Sequence, residues 1–203
     1  RYEDFVTGVK YLRRHNVPIR LKSPPTRLLV GARQQINRSL RQMDYTETVR
    51  HSWELSKHSM RNETANDQIN GLRLGPDAAA RERLREPGEA LALARAYVLP
   101  QSRLSQRNLF HCLQGDVRLA VDPWGRLQPC LTLRHPTVQF DLRHADLATA
   151  LAQFIPRVRR LLVRADSPVA RCIKCAFRPI CKHCPATSWC ETGALDGFSD
   201  YYC

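Results

Sequence analysis

The stretch CIKCAFRPICKHCP, residues 172–185, sets four cysteines within thirteen residues in the spacing C-x2-C-x5-C-x2-C, with Pro185 directly after the last. Cysteines paired two residues apart serve metals or redox chemistry more often than structural bridges. All eight cysteines of the chain lie between Cys112 and Cys203, and residues 1–111 hold none. Disulfides suit small secreted scaffolds, but no export signal is visible and the first half carries no staples. Zinc and iron–sulfur clusters are the closer contest. A structural zinc site uses two close pairs separated by about a dozen residues or more, whereas five separate the pairs here. Iron–sulfur ligation tolerates short loops, and neighbouring cysteines can ligate different clusters.

Outward from this cluster, HCLQGDVRLAVDPWGRLQPC (residues 111–130) reads as a hairpin: VRLAV as a strand, DPWG as the turn and RLQPC as the returning strand. Such a hairpin brings Cys112 and Cys130 toward one another. The connecting segment FDLRHADLATALAQFIPRVRRLL (residues 140–162) predicts a helix capped by Asp146, with Leu147, Leu151 and Phe154 on one face. Pro156 is expected to end or bend it before Val158, Leu161 and Leu162 resume the apolar pattern.

Taken together, Cys112, Gly125, Cys130, Cys172, Cys175, Cys181, Cys184 and Cys203 run as C-x12-G-x4-C, a gap, C-x2-C-x5-C-x2-C, a second gap and a final cysteine. This order resembles the SPASM domain, the auxiliary-cluster domain at the C-terminus of many radical SAM enzymes that modify ribosomally made peptides. The resemblance covers about residues 105–203, and the closing CPATSWCETGALDGFSDYYC fits it. It implies that Cys172, Cys175, Cys181 and Cys203 hold one auxiliary [4Fe–4S] cluster, and that Cys112, Cys130 and Cys184 hold another. The fourth ligand of the latter has no cysteine before the hairpin to supply it, so that position is open or completed by Cys190, His111 or His183. An open iron would bind substrate; a closed cluster would relay electrons. Thiolates are the soft anionic donors iron asks for, so cluster binding is expected to fold this half. The neighbouring Arg171, Lys174, Arg178 and Lys182 either favour reduced clusters or form a solvated basic rim.

The first half reads helix, strand, helix, strand, the pattern of parallel crossover units. Phe5, Val9 and Leu12 fall at helical spacing in YEDFVTGVKYLRRHN, and VPIRLKS follows as a strand. TRLLVGARQQINRSLRQMD then reads as a helix, and YTETVRHSWELS as a strand carrying Thr46, Val49 and Trp53. GPDAAARERLREPGEALALARAY is the helical connection into the cysteine-rich part. The expected fold is therefore α/β: residues 1–104 resemble the last part of a partial (β/α)6 radical SAM barrel, and residues 105–203 form a small α+β cysteine-rich SPASM domain with a β-hairpin. Barrel sites lie at the C-terminal ends of strands, which nominates Lys22, Ser23, Arg50, His51 and Ser52 for the nucleoside of S-adenosylmethionine or the substrate peptide. The family's C-x3-C-x2-C loop for the catalytic cluster is missing, because no cysteine precedes Cys112. The chain is thus expected to be the C-terminal fragment of a full enzyme, or else a degenerate relative. S-adenosylmethionine and a third [4Fe–4S] cluster would belong only to the full-length protein.

Composition sets the outer limits. At 203 residues the chain has room for one large domain or two small ones. The formal charge of +13 invites nucleic acid, but only five of the 32 basic residues are lysine and the arginines are scattered. Aromatics, at 7%, do not alternate with them as a stacking platform requires. Neither nucleic acid nor a membrane is an expected partner, and the cytoplasm is the expected compartment. A peptide or protein substrate is expected, with a peptide-chaperone domain to deliver it and an electron donor such as a flavodoxin or ferredoxin. The alternative is a non-catalytic zinc-binding or peptide-binding module on a degenerate SPASM scaffold.

Overall fold

The computed structural model describes the chain except at residues 1, 25, 44, 46–49, 52–54, 58–61, 86–87, 99–106, 115–117, 179–180 and 182. It forms two compact units, one of Arg1–Leu55 with Gly71–Ala90, the other of Ser56–Asn70 with Leu91–Cys203. The expected boundary at 104/105 falls outside the described residues.

In the first unit, α1 (Tyr2–Arg14) carries Glu3 and Asp4 in its first turn and Arg13 and Arg14 in its last, complementing the helix dipole. Asn16, at φ 54, takes the left-handed position that closes it, and Val17 N–H reaches back to the Leu12 carbonyl. The inward face is Val9 with Val6 beside it, packed with Leu40, Met43 and Tyr45; Phe5, expected inside, is 45% exposed. The strand expected over VPIRLKS contracts to β1 (Lys22–Ser23). The next helix starts later than its sequence reads: Thr26–Gly31 is a turn, Gly31 adopts φ +83, and α2 spans Arg33–Arg41. Leu28 to Val30 are consequently exposed. β2 (Arg50–His51) pairs with β1 in parallel, Lys22 opposite Arg50 and Ser23 opposite His51, so α2 lies within a parallel crossover. Thr46, Val49 and Trp53 of the expected strand lie outside the described residues. Three helices follow along the chain: α3 (Glu63–Leu72), largely in the second unit, α4 (Pro76–Leu84), in the first, and α5 (Glu89–Val98), largely in the second. The last two form the expected helical connection; α3 was not foreseen, although Asn62 caps it by accepting from Ala65 N–H at 2.8 Å.

The second unit is built on the hairpin. β3 (Ala120–Val121) and β4 (Arg126–Gln128) are antiparallel, and β5 (Phe140–Asp141) adds to β4 as a third strand. The turn is held by the buried Asp122, whose Oδ1 accepts from Trp124 and Arg126 N–H at 2.9 Å each. Gly125 follows at φ +77, a conformation open to glycine at little cost. The helical segment after the sheet starts where Asp146 accepts from Thr149 N–H. It runs as α6 (Leu147–Thr149), a π-helical turn (Ala150–Phe154) and α7 (Ile155–Arg159).

Pro156 therefore neither ends this helix nor follows a regular turn. In an α-helix its ring would meet the Ala152 carbonyl four residues back; the wider π turn, with Ile155 N–H bonding to the Ala150 carbonyl, gives it room. The same widening rotates the buried face to Ala150, Phe154, Ile155 and Val158, while Leu147 and Leu151 are 50% and 48% exposed. Leu161 and Leu162 also point outward; their backbone instead pairs with residues 107–109, through Leu109 N–H to Leu161 O and Val163 N–H to Arg107 O at 2.8 Å each. The core lies between this helix and the sheet: Phe110, Leu113, Leu127, Leu133 and Val138 pack with Phe154, Ile155 and Val158, and Ala186 joins from α8 (Pro185–Thr192). Lys57 ties its own segment to α8 through Glu191, 3.1 Å away.

Candidate metal centre

Seven thiols are placed by short, local devices on the edge of that core. Cys112 sits in a single 3-10 turn, His111–Gln114, whose flanking Phe110 and Leu113 are buried and so leave the thiol outward. Cys130 follows β4, where its Sγ lies 3.4 Å from Thr132 Oγ1. Cys172 ends inside a 3-10 segment, Pro168–Lys174, and Cys175 N–H closes back on the Cys172 carbonyl at 3.2 Å. Cys181 Sγ accepts the His183 N–H at 3.4 Å. Cys184 is the N-cap of α8, with Pro185 at N1 and Thr187 at N3; Thr187 Oγ1 accepts the Cys184 N–H at 2.8 Å. Cys203 is set by the final turn, Asp200–Tyr202. None of the eight cysteines is in a disulfide.

The thiols sort into two neighbourhoods. Burial raises the pKa of Cys112, and the nearby thiols of Cys184 and then Cys130 raise it further. Burial likewise raises Cys172, with Cys181, Cys175 and Cys203 adding to it and Arg171 opposing. Cys181 is raised by burial against the His183 N–H bond, with Cys175 and Cys203 ahead of Cys184 among its neighbours. The two halves of the second C-x2-C pair thus face different partners, although they remain within reach of each other. Among the described residues no three His, Cys, Asp or Glu side chains converge closely enough to hold a single metal ion. The arrangement is two groups of soft donors, of three and four, rather than one closed tetrahedron. Soft thiolate donors of this kind are the ones that iron–sulfur clusters take.

Of the three candidates for the remaining ligand, Cys190 is buried in α8 at 6% exposure, as a small apolar side chain is. His183 is lowered in pKa by burial, against a bond to the Gly197 carbonyl and with His111 lowering it further. Its Nε2 lies 3.0 Å from Ser188 Oγ, and that hydroxyl, fully buried, donates its one hydrogen to the Gly197 carbonyl at 2.8 Å. The network therefore assigns the His183 proton to Nε2 and leaves the lone pair on Nδ1. His111 is lowered by burial too, and its Nδ1 is engaged by Arg178. Both histidines directly precede a cysteine of the Cys112–Cys130–Cys184 set in sequence, but the His183 N–H goes to Cys181 Sγ and its ring packs near Phe198 and Tyr202.

Sequence reasoning did not single out Thr132, Thr187, Ser188 or Gln128. Thr187 was readable, since Cys-Pro-x-Thr is the spacing of an N-cap and its N3 partner. Gln128, buried two residues before Cys130, has an Nε2 with no partner among the described residues, and nothing local signals it. In the first unit, Lys22, Ser23, Arg50 and His51 are brought together in the β1–β2 register, with Ser23 and His51 at the strand ends. Ser52 and Lys182 lie outside the described residues. Compared with protein-family models, curated proteins and solved structures, the chain shows no match.

Proposed function

We propose that this chain is the auxiliary cluster-binding portion of a radical SAM enzyme that modifies a ribosomally made peptide or protein. One feature supports the reading: Cys184, then Cys130, raises the Cys112 thiol from some seventy residues away in sequence, while Cys175 and Cys203 come ahead of Cys184 in raising Cys181, and Cys172 feels Cys181, Cys175 and Cys203. That crossed sorting is what two clusters sharing one cysteine-rich loop require, and four thiols on one zinc ion would instead stand about 3.8 Å apart. Residues Cys172, Cys175, Cys181 and Cys203 hold one [4Fe–4S] cluster; Cys112, Cys130 and Cys184 hold the other. When bound, the clusters supply one-electron transfer or an iron site that anchors substrate.

The protein groups do the rest. The His183 N–H and Thr132 Oγ1 stand at sulfur, where hydrogen bonds favour the thiolate. The N-terminal end of α8 sets partial positive charge at the Cys184 cap, where an anionic group is favoured. The parallel β1–β2 pair, which carries Lys22, Ser23, Arg50 and His51, would belong to the nucleoside or peptide site in the full enzyme. The chain alone does not cleave S-adenosylmethionine, because residues 1–111 hold no cysteine for the catalytic cluster. A reducing compartment, the cytoplasm, keeps the thiols available, and no helix among the described residues is long and apolar enough to cross a membrane. A flavodoxin or ferredoxin would supply electrons, and a peptide-chaperone domain would present the substrate.

The test is iron, acid-labile sulfide and zinc per chain after anaerobic purification and reconstitution. About seven to eight irons with matching sulfide are expected. One or two zincs with negligible iron and sulfide would replace this reading with a zinc-binding module.

A further inference from the structure

Arg178 belongs by backbone to one thiol group and by side chain to the other. Its N–H donates to the Cys175 carbonyl at 3.2 Å, and its own carbonyl accepts from Cys181 N–H at 3.3 Å, which fixes it in the loop between those cysteines. Its Nη2 lies 3.1 Å from His111 Nδ1, across 67 positions of sequence, and His111 directly precedes Cys112. The same Nδ1 lies 3.0 Å from the Asn108 carbonyl. One ring nitrogen cannot accept from Arg178 and donate to Asn108 together, and a guanidinium does not give up its proton. A carbonyl only accepts, so the His111 tautomer decides which of the two contacts is the hydrogen bond, and the Arg178 guanidinium stands against the ring in either case. Partial burial lowers the Arg178 pKa, and the nearby Cys172 opposes that shift.

We propose that Arg178 is a positioning residue that ties the Cys112 turn to the Cys175–Cys181 loop and holds a permanent positive charge between His111, the residue before Cys112, and the loop that carries Cys175 and Cys181, so that both clusters become easier to reduce. The inference rests on the two-cluster reading above. Each cluster gains negative charge on reduction, so a fixed cation stabilises the reduced form more than the oxidised one. Lysine at 178 keeps the charge without the planar fork; glutamine keeps hydrogen bonding without the charge.

Wild type, Arg178→Gln and Arg178→Lys proteins are reconstituted anaerobically and compared by iron and sulfide content and by redox titration followed by electron paramagnetic resonance. Arg178→Gln is expected to keep wild-type iron and sulfide. At the wild-type midpoint its ratio of reduced to oxidised cluster falls about tenfold, a shift of about 59 mV for one electron, in both clusters. Arg178→Lys recovers most of that ratio. Wild-type iron with unshifted potentials in Arg178→Gln overturns the proposal, as does a shift that lysine leaves uncorrected. Should Arg178→Gln fail to hold iron, retention by Arg178→Lys supports the role of charge and loss in both overturns it. A wild-type protein that takes up zinc and no sulfide overturns the cluster reading instead, which the unmutated control alone reveals.

Discussion

Cys181 and Cys184 stand three positions apart and answer to different neighbours. If they serve different clusters, Cys184→Ala and Cys112→Ala should each lose about half the iron and give the same residual spectrum. Cys181→Ala and Cys172→Ala should lose the other half and share a second spectrum. Iron analysis with electron paramagnetic resonance on the four variants decides it, and four identical residual spectra would contradict the assignment. The same residues set a pH dependence. Burial first, and neighbouring thiols after it, raise the folded pKa of Cys112, Cys172 and Cys181. A raised acid favours its protonated form in the folded state. Its stabilisation is therefore complete below the unfolded thiol value, about 8.5, and is lost as pH rises through the higher folded values. Metal-free protein should accordingly unfold at lower urea at about pH 10 than at about pH 7.5. The loaded protein, whose thiolates are already ionised, should not share this loss.

At the scale of elements, the hairpin was legible because its determinants are adjacent in sequence. Asp122, Pro123 and Gly125 specify the turn whatever surrounds it, and Asp122→Ala should cost about 1–3 kcal/mol by urea denaturation, since two backbone donors lose their acceptor. The packing of the loop after α8 was not legible. A Cβ on Gly197 would run into Thr192 Oγ1, a hydroxyl already donating to the Ser188 carbonyl at 2.9 Å. Gly197→Ala should thus destabilise by about 1–3 kcal/mol. Thr192→Ala removes the obstructing atoms, so the double variant should fall short of the sum by at least about 0.5 kcal/mol in a double-mutant cycle. Additive effects would place the clash elsewhere. The helix around Pro156 shows the opposite failure: its existence and its Asp146 cap were readable, its buried face was not. Periodicity assumes 3.6 residues per turn, and one π turn moves the frame from Leu147 and Leu151 to Ala150 and Ile155.

For the whole molecule, the core of the second unit draws on residues 109–158 and Ala186, and none of it comes from the described residues of 171–183. Phe177, in the middle of that segment, is 65% exposed. Folding of this half by metal therefore narrows to the cysteine loop: sheet, helix and core have apolar burial of their own, whereas the loop has short turns and thiols. Hydrogen exchange should show it. Removing metal should collapse protection over residues 171–184 by at least about tenfold and leave the backbone of β4 and the buried helix within about threefold. Uniform loss across residues 109–203 would mean that the cluster, not the apolar core, holds the unit together.

The sequence by itself determined the split into thiol-free and thiol-rich halves, the hairpin turn, the Asp146 cap and the identity of the donors. These are properties of composition or of residues within a few positions of one another. Only the tertiary structure decided which thiol neighbours which, that β5 joins the sheet, that Arg178 reaches His111, and which face of the helix is buried. Each of those depends on contacts between distant segments, whose cost in chain entropy is met by the packed core and not by any local signal.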